Sequence, residues 1–307
     1  MTTGSLSDRE TAAAWEQSAL RRGGIRFAVL RTVVSFGRRK PLGAAGAVVV
    51  IALVLTALLA PLIAPYDPNE SVTLPLSGMS WSHPFGADHL GRDMLSRVIY
   101  GARISLQIGL IAVAIGVVGG SAIGLLSAYA GGVADLAIQR LMDTAMCFPT
   151  LILALIIVTA LGTEIHWVMI AVGIAIIPSA SRVVRSVVLS LKELSYIEAA
   201  RSMGAGSPRI VLRHLLPNAA APIIVIASAS LGNAILSEAA LSFLGLGAQP
   251  PAPAWGSMLS GQGRLYFEVA PWLGIFPGVA ISLTVLGFNL FGDALRDVLD
   301  PRLRGSR

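Results

Sequence analysis

The sequence predicts an all-helical, polytopic membrane protein with six transmembrane helices. Three observations carry this expectation. First, the 307 residues are 54% hydrophobic and only 13% charged, with a mean hydropathy of +0.73; a soluble domain carries about 25% charged residues. So little charge cannot cover a water-soluble body of this size, which excludes an ordinary cytosolic enzyme and a disordered chain. Second, six apolar runs each approach or exceed the ~20 helical residues needed to cross a ~30 Å hydrocarbon core. Third, Lys and Arg are distributed very unevenly between those runs. A disulfide scaffold is excluded because Cys147 is the single cysteine. It lies in an apolar run and is expected as a buried thiol.

The runs fall at residues 42–64, 104–130, 138–161, 167–189, 218–244 and 272–291. The first begins 41 residues into the chain and is too long for the apolar core of a signal peptide, so it reads as a retained span. The chain then divides into an N-terminal segment (1–41), a six-span body (42–303) and a short tail (304–307). If the runs alternate in direction, 19 of the 23 Lys and Arg residues fall on one side. The other side has only Arg92, Arg97, Arg103 and Arg264. The positive-inside rule places both termini in the cytoplasm, and an even number of spans agrees by putting them on the same side. The net charge of +6 therefore reads as membrane topology. A nucleic-acid partner would need basic residues beside aromatics or on a soluble motif, and none is expected.

Within the second run, Gly116, Gly120 and Gly124 share one helix face. Small residues at that spacing allow close helix approach, with a substrate path alongside them as a second reading. Pro149, Pro178, Pro222 and Pro277 fall in runs three to six and are expected to bend them. Asp143 and Glu238 are the acids within runs. Both stand within a turn or two of an expected helix end, leaving structural and proton-relay readings open.

Three connectors are too long to be simple turns: residues 65–103, 190–217 and 245–271. The first contains Gly86, Asp88, Gly91, Arg92 and Asp93 in a polar stretch leading into span two. Asp88 is expected to cap that span and Arg92 to pair with Asp93. The stretch reads either as an external mouth or as an interfacial helix that anchors the span. His83 and His89 lie near Asp88 and Asp93 and read as a structural pair rather than a metal site.

The second connector reads as a helix–turn–helix knob. Ser195 and Glu198 have capping-box spacing, so a short helix should start at Tyr196. Gly204 supplies a left-handed stop, and Ser207 should cap a second start with Pro208 at its first position. Such a knob is either a solvated connector or a docking surface. A DNA-binding reading is disfavoured by its position between two spans.

Chemistry of its own is missing. Lys40 and Lys192 are the only lysines, and neither stands in the Gly-Lys-Ser/Thr setting of a phosphate-binding loop. There is no H-E-x-x-H and no G-x-S-x-G. No catalytic residue, resident metal or cofactor is assigned.

Glu198-Ala199-Ala200, three residues, Gly204, nine residues, then His214-Leu215-Leu216-Pro217 resembles the EAA loop of permease subunits in binding-protein-dependent ABC importers. His214 departs from the usual Ile, but the Arg213–Asn218 stretch is similar to the peptide-importer branch. Residues 83–106 and 235–259 resemble further stretches of the C-type permease subunit of dipeptide and oligopeptide importers. The resemblance covers roughly residues 40–303, and the first 40 residues match nothing comparable.

The resemblance implies a multi-pass protein of a bacterial-type inner membrane that forms half of a pathway for short peptides. The partners it implies are a second homologous permease, two ATP-binding subunits that hold ATP and Mg, and an external substrate-binding protein. Glu198, Ala199, Ala200, Gly204, Arg213 and Pro217 would form the ATPase-coupling surface. A nickel, glutathione or other small-solute importer is the alternative within the class. The rivals outside it are an ion-coupled secondary transporter, which should carry acids near the midplane, and an intramembrane enzyme.

Overall fold

A computed structural model describes residues 40–299. The N-terminal segment up to residue 39 and the tail from residue 300 lie outside the described residues. Among the described residues every regular element is a helix, with only two isolated bridges, Ser71 to Arg92 and Ala87 to Asp93.

Helix α1 (Pro41–Ile63) starts on a proline, which suits a first turn because its missing N–H would be unpaired there anyway. Helix α2 (Met94–Ala130) has 37 residues, about 55 Å at 1.5 Å per residue. It begins ten residues before the apolar run because Asp93 caps it. The Asp93 carboxylate accepts the Ser96 N–H and hydroxyl, both at 2.8 Å. Arg97 and Arg103 interrupt the hydropathy there but not the helix.

The third run is broken into α3 (Gly132–Met146) and α4 (Thr150–Leu161), which meet at 92°. The break falls at Cys147-Phe148-Pro149. Proline disfavours helical backbone at the residue before it and cannot donate. Cys147 stands at this corner and is exposed on the single chain, which corrects the expected buried thiol: the bend turns its side chain away from the core.

Helix α5 (Ile165–Lys192) follows. Next come α6 (Ser195–Ser202) and α7 (Ser207–Ile210), which lead through a π-helical turn (Val211–Leu215) into α8 (Leu216–Phe243). The wide turn has a local cause. Pro217 offers no N–H to the Arg213 carbonyl, and an extra residue in the turn relieves its ring. The Asn218 side chain donates to the His214 carbonyl at 2.6 Å. After α8 come two short helices, α9 (Trp255–Leu259) and α10 (Gln262–Leu265), then α11 (Trp272–Leu299).

Helices α2 and α5 form the centre, and they run parallel. A Cβ on Gly116 would lie 2.6 Å from Ile176 Cβ, and one on Gly120 would lie 2.7 Å from the Ile177 carbonyl oxygen. Gly124 meets the backbone of Ser181 and Arg185. The glycine face is therefore a close helix seam, the first of the two readings it allowed. Parallel neighbours require the chain to return between them, so α3 and α4 together carry it back across. Five long helices and one bent pair thus allow up to six crossings, with Pro178, Pro222 and Pro277 held inside unbroken helices.

Helix α11 is antiparallel to both α1 and α8. Gly46 lies against Gly287 and Leu290, and Gly292 against Ser228 and Ala229. Lys40 and Asp297 pair at 2.5 Å. The described ends of the chain thus share one face with the knob, and residues 65–93 and 245–271 form the opposite face.

Candidate functional site

The knob is a packed structure. Ile197, Ile210 and Leu215 are buried against Leu125, Val184 and Val188 of α2 and α5. Its first helix starts at Ser195 with Leu194 as N-cap and no side-chain cap, which corrects the expected capping box. Ser195 is already in the first turn, so its hydroxyl is not placed to cap that turn. Ser207 is likewise inside α7, with Gly206 in the cap position and no side-chain cap.

The stop forms as the sequence predicts. Gly204 has φ +80°, Ala205 N–H donates to the Ala200 carbonyl at 3.0 Å, and Gly204 N–H donates to Arg201 at 2.9 Å. This is the paired bonding of a Schellman motif. Ala200 faces inward, whereas Glu198, Ala199, Gly204, Arg213 and Pro217 are exposed. Two residues that the sequence reading missed, Met203 (82% exposed) and Leu212 (64%), give this polar surface an apolar component. Their signal was weak, because a single large apolar residue on a short helix reads as core.

Beneath the knob two cross-helix ion pairs join α3 to α5. Arg185 donates to both oxygens of Asp135, at 2.8 and 2.5 Å. Ser127 also donates to Asp135, and Arg182 pairs with Asp143. The Lys192 ammonium donates to the Ala128 carbonyl at 3.0 Å. Asp143 thus has a structural partner. Glu238, the other acid, is fully buried near the opposite face and accepts from Ser105 at 3.2 Å and Ser242 at 2.7 Å. It ties α2 to α8.

On the opposite face, Gly86, Asp88, Gly91, Arg92 and Asp93 are all buried. They form the internal frame of a rim. Asp88 does not cap α2. Its carboxylate accepts the N–H groups of Leu90 (2.8 Å) and Arg92 (3.0 Å) and pairs with Arg92 Nε at 2.6 Å. Arg92 therefore pairs four residues back, not with its neighbour. Asp93 is taken by the cap and by His83, whose Nδ1 lies 3.0 Å from it. His83 and His89 do not pair with each other, and the described residues contain no cluster of potential metal ligands.

Gly91 has φ +77°, and a side chain there would strike the Thr73 carbonyl. Trp272 donates to the Ala87 carbonyl at 3.0 Å and Trp255 to that of Val98 at 2.9 Å. Trp255 thus clamps the late connector onto the start of α2, and Trp272 ties the start of α11 to the connector before α2.

Residues 120–305 match the family model described as binding-protein-dependent transport system inner membrane component. The chain belongs to that family. A second model, the N-terminal TM domain of oligopeptide transport permease C, matches residues 38–76 of this inner membrane component. It is 44% identical to a dipeptide transport system permease protein DppC of Alkalihalophilus pseudofirmus over 87% of the chain and 88% of that protein. It is 44% identical to a glutathione transport system permease protein GsiD of Pectobacterium atrosepticum, covering 87% and 89%. The corresponding protein of Escherichia coli O6:K15:H31 is 46% identical with the same coverage. Among solved structures, a chain of the MetNI methionine ABC transporter in an inward facing conformation superposes with a TM-score of 0.55 at 19% identity. It covers 67% of this chain and 98% of that one, a likeness of fold alone. This inner membrane component is thus a multi-pass permease of the ABC importer class.

Proposed function

We propose that this chain forms half of the pathway of an ATP-driven importer of short peptides, beside a second related permease. ATP and Mg are held by two separate ATP-binding subunits that dock on the EAA-like knob, 194–217. An external binding protein delivers substrate to the opposite rim. The knob is the observation that carries the coupling reading: a rigidly seated protrusion, with Glu198, Met203 and Leu212 outward, on a chain that has no phosphate-binding loop. Similarity to a dipeptide permease supports the substrate class. Glutathione is a second reading, favoured by relatives of equal similarity named for it.

The experiment is uptake into proteoliposomes holding the full complex with ATP inside. Radiolabelled dialanine should accumulate, and glutathione should compete weakly. Accumulation of glutathione with no dialanine uptake would assign the second reading. ATP-independent uptake driven by an ion gradient would remove the ABC mechanism.

The cation bias supports a cytoplasmic knob and cytoplasmic ends. Reporter fusions at Ser190 should read cytoplasmic and those at Ser71 external; a cytoplasmic signal at Ser71 would reverse the assignment.

A further inference from the structure

Two guanidinium groups are buried at the rim opposite the knob, and the protein neutralises only one of them. Arg92 and Arg97 are 8% and 5% exposed. Both line a partly open cavity of about 370 Å³ between residues 88–97, the connector around Ser257 and Gly261, and the start of α11. This is within the size range of small-ligand sites. Asp88 is the one acidic residue lining it among the described residues. Its oxygens are already engaged by two backbone N–H groups and by Arg92 Nε.

Arg97 Nε lies 3.6 Å from Asp88, beyond hydrogen-bond reach, and has no hydrogen-bond partner although buried. Among the described residues the one side-chain hydrogen bond of Arg97 runs from Nη1 to the Pro68 carbonyl at 2.7 Å. The Nη atoms of Arg92 make no hydrogen bond among the described residues. His89, also lining the cavity, adds no cation near neutral pH: burial pushes its pKa down, and neighbouring Asp88 opposes that only in part. The cavity thus keeps one uncompensated buried positive charge, a costly arrangement unless an anion completes it. Forked N–H donors suit a planar carboxylate.

We propose that the Arg92–Arg97 cavity binds the carboxylate of a small ligand, which on the import reading above is the terminal carboxylate of an incoming short peptide. The apolar wall of Met94, Met258 and Leu273 would receive the adjoining side chain.

The test uses the assembled complex in nanodiscs, without binding protein, and saturation-transfer NMR titrations of dialanine and dialaninamide. Dialanine should bind at least ten-fold more tightly than the amide, and acetate should compete. Arg97→Gln should reduce the preference to less than two-fold. Asp88→Asn, which keeps an acceptor for the Leu90 and Arg92 N–H groups and removes the internal counter-charge, should tighten dialanine binding at least three-fold. A misfolded rim cannot produce that gain.

Equal binding of acid and amide by the unaltered complex would overturn the proposal, as would unchanged or weaker binding in Asp88→Asn. In a separate co-purification with the binding protein, loss of docking in Arg97→Gln alongside no acid preference in the titrations would overturn it too, assigning the cavity to a side chain of the binding protein. ATP-driven dialanine uptake with no acid preference would remove this inference and leave the import reading standing. An acid preference without peptide uptake would leave a carboxylate site and remove the peptide assignment.

Discussion

Gly120→Ala should prevent recovery of a folded chain, whereas Gly119→Ala should be tolerated. At Gly120 the new methyl would lie 2.6 Å from Ala180 Cβ, 2.7 Å from the Ile177 carbonyl oxygen and 2.9 Å from the Ser181 nitrogen. Two of these three neighbours are backbone atoms and cannot rotate aside, so α2 and α5 must separate along the seam. Overpacking a core costs about 1–3 kcal/mol where side chains can adjust, and here the cost should exceed that range. At Gly119 the nearest atom is the far end of Ile177, Cδ1 at 3.2 Å, which can move by a rotamer change. The measurement is the monodisperse fraction after detergent extraction, with thermal midpoints for whatever is recovered. Equal recovery of the two variants would mean that the seam does not hold the bundle together.

Gly204→Val should leave insertion and extraction unchanged and reduce both ATPase co-purification and peptide uptake at least ten-fold. Nothing lies within 4 Å of a Cβ at Gly204, so the substitution meets no clash. It meets only the strain of φ +80°, about 1–2 kcal/mol for an L residue and worse when β-branched. That is too little to unfold six spans. It is enough to open the turn that sets Met203 relative to Ala205 and α7. Gly204→Asn should retain most coupling, because asparagine tolerates left-handed backbone. If Val and Asn behave alike, the effect is not conformational. Full coupling in Gly204→Val would reduce the knob to a connector. Glu198→Ala is a useful companion, because Glu198 makes no cap. The variant removes a first-turn acid worth about 0.3–1 kcal/mol to the helix, so a ten-fold or greater loss of coupling with the knob still folded would point to a contact with another chain.

The spans were legible because a lipid-facing helix must be apolar along its whole length, and little else in the sequence competes with that signal. The Gly116–Gly120–Gly124 seam and the Gly204 stop were legible for a similar reason: each depends on one residue type with one steric property. The Ser195–Glu198 capping box and the Ser207 cap failed because spacing does not set helix phase. Burial of Ile197 and Ile210 beneath the knob accompanies starts at Ser195 and Ser207, which puts both serines inside the helix.

The corner at Cys147–Pro149 was only half visible. Proline announced a bend, but the size of the bend depends on α3 reaching Arg182 and Arg185, roughly 40–50 residues away in sequence. The same distance hid the Asp135–Arg185 pair. At the rim, residue types were read correctly but partners were not, because Asp88 and Asp93 are divided between the chain before α2 and the first turn of α2.

The parallel arrangement of α2 and α5 also bears on how the chain is made. Antiparallel neighbours can zip together as soon as a hairpin emerges. Gly116 must wait for Ile176, about 60 residues later, while α3 and α4 are threaded back across the bilayer. At about 5–20 residues per second of synthesis the glycine face spends some 3–12 seconds without its partner, against lipid or the insertion machinery. Its exposed backbone is then a ready landing strip for any other small-residue helix nearby. Order of synthesis therefore matters as much as final affinity: a permease gene split after residue 131, with its halves expressed separately, should assemble poorly even though the two halves together carry both sides of the seam.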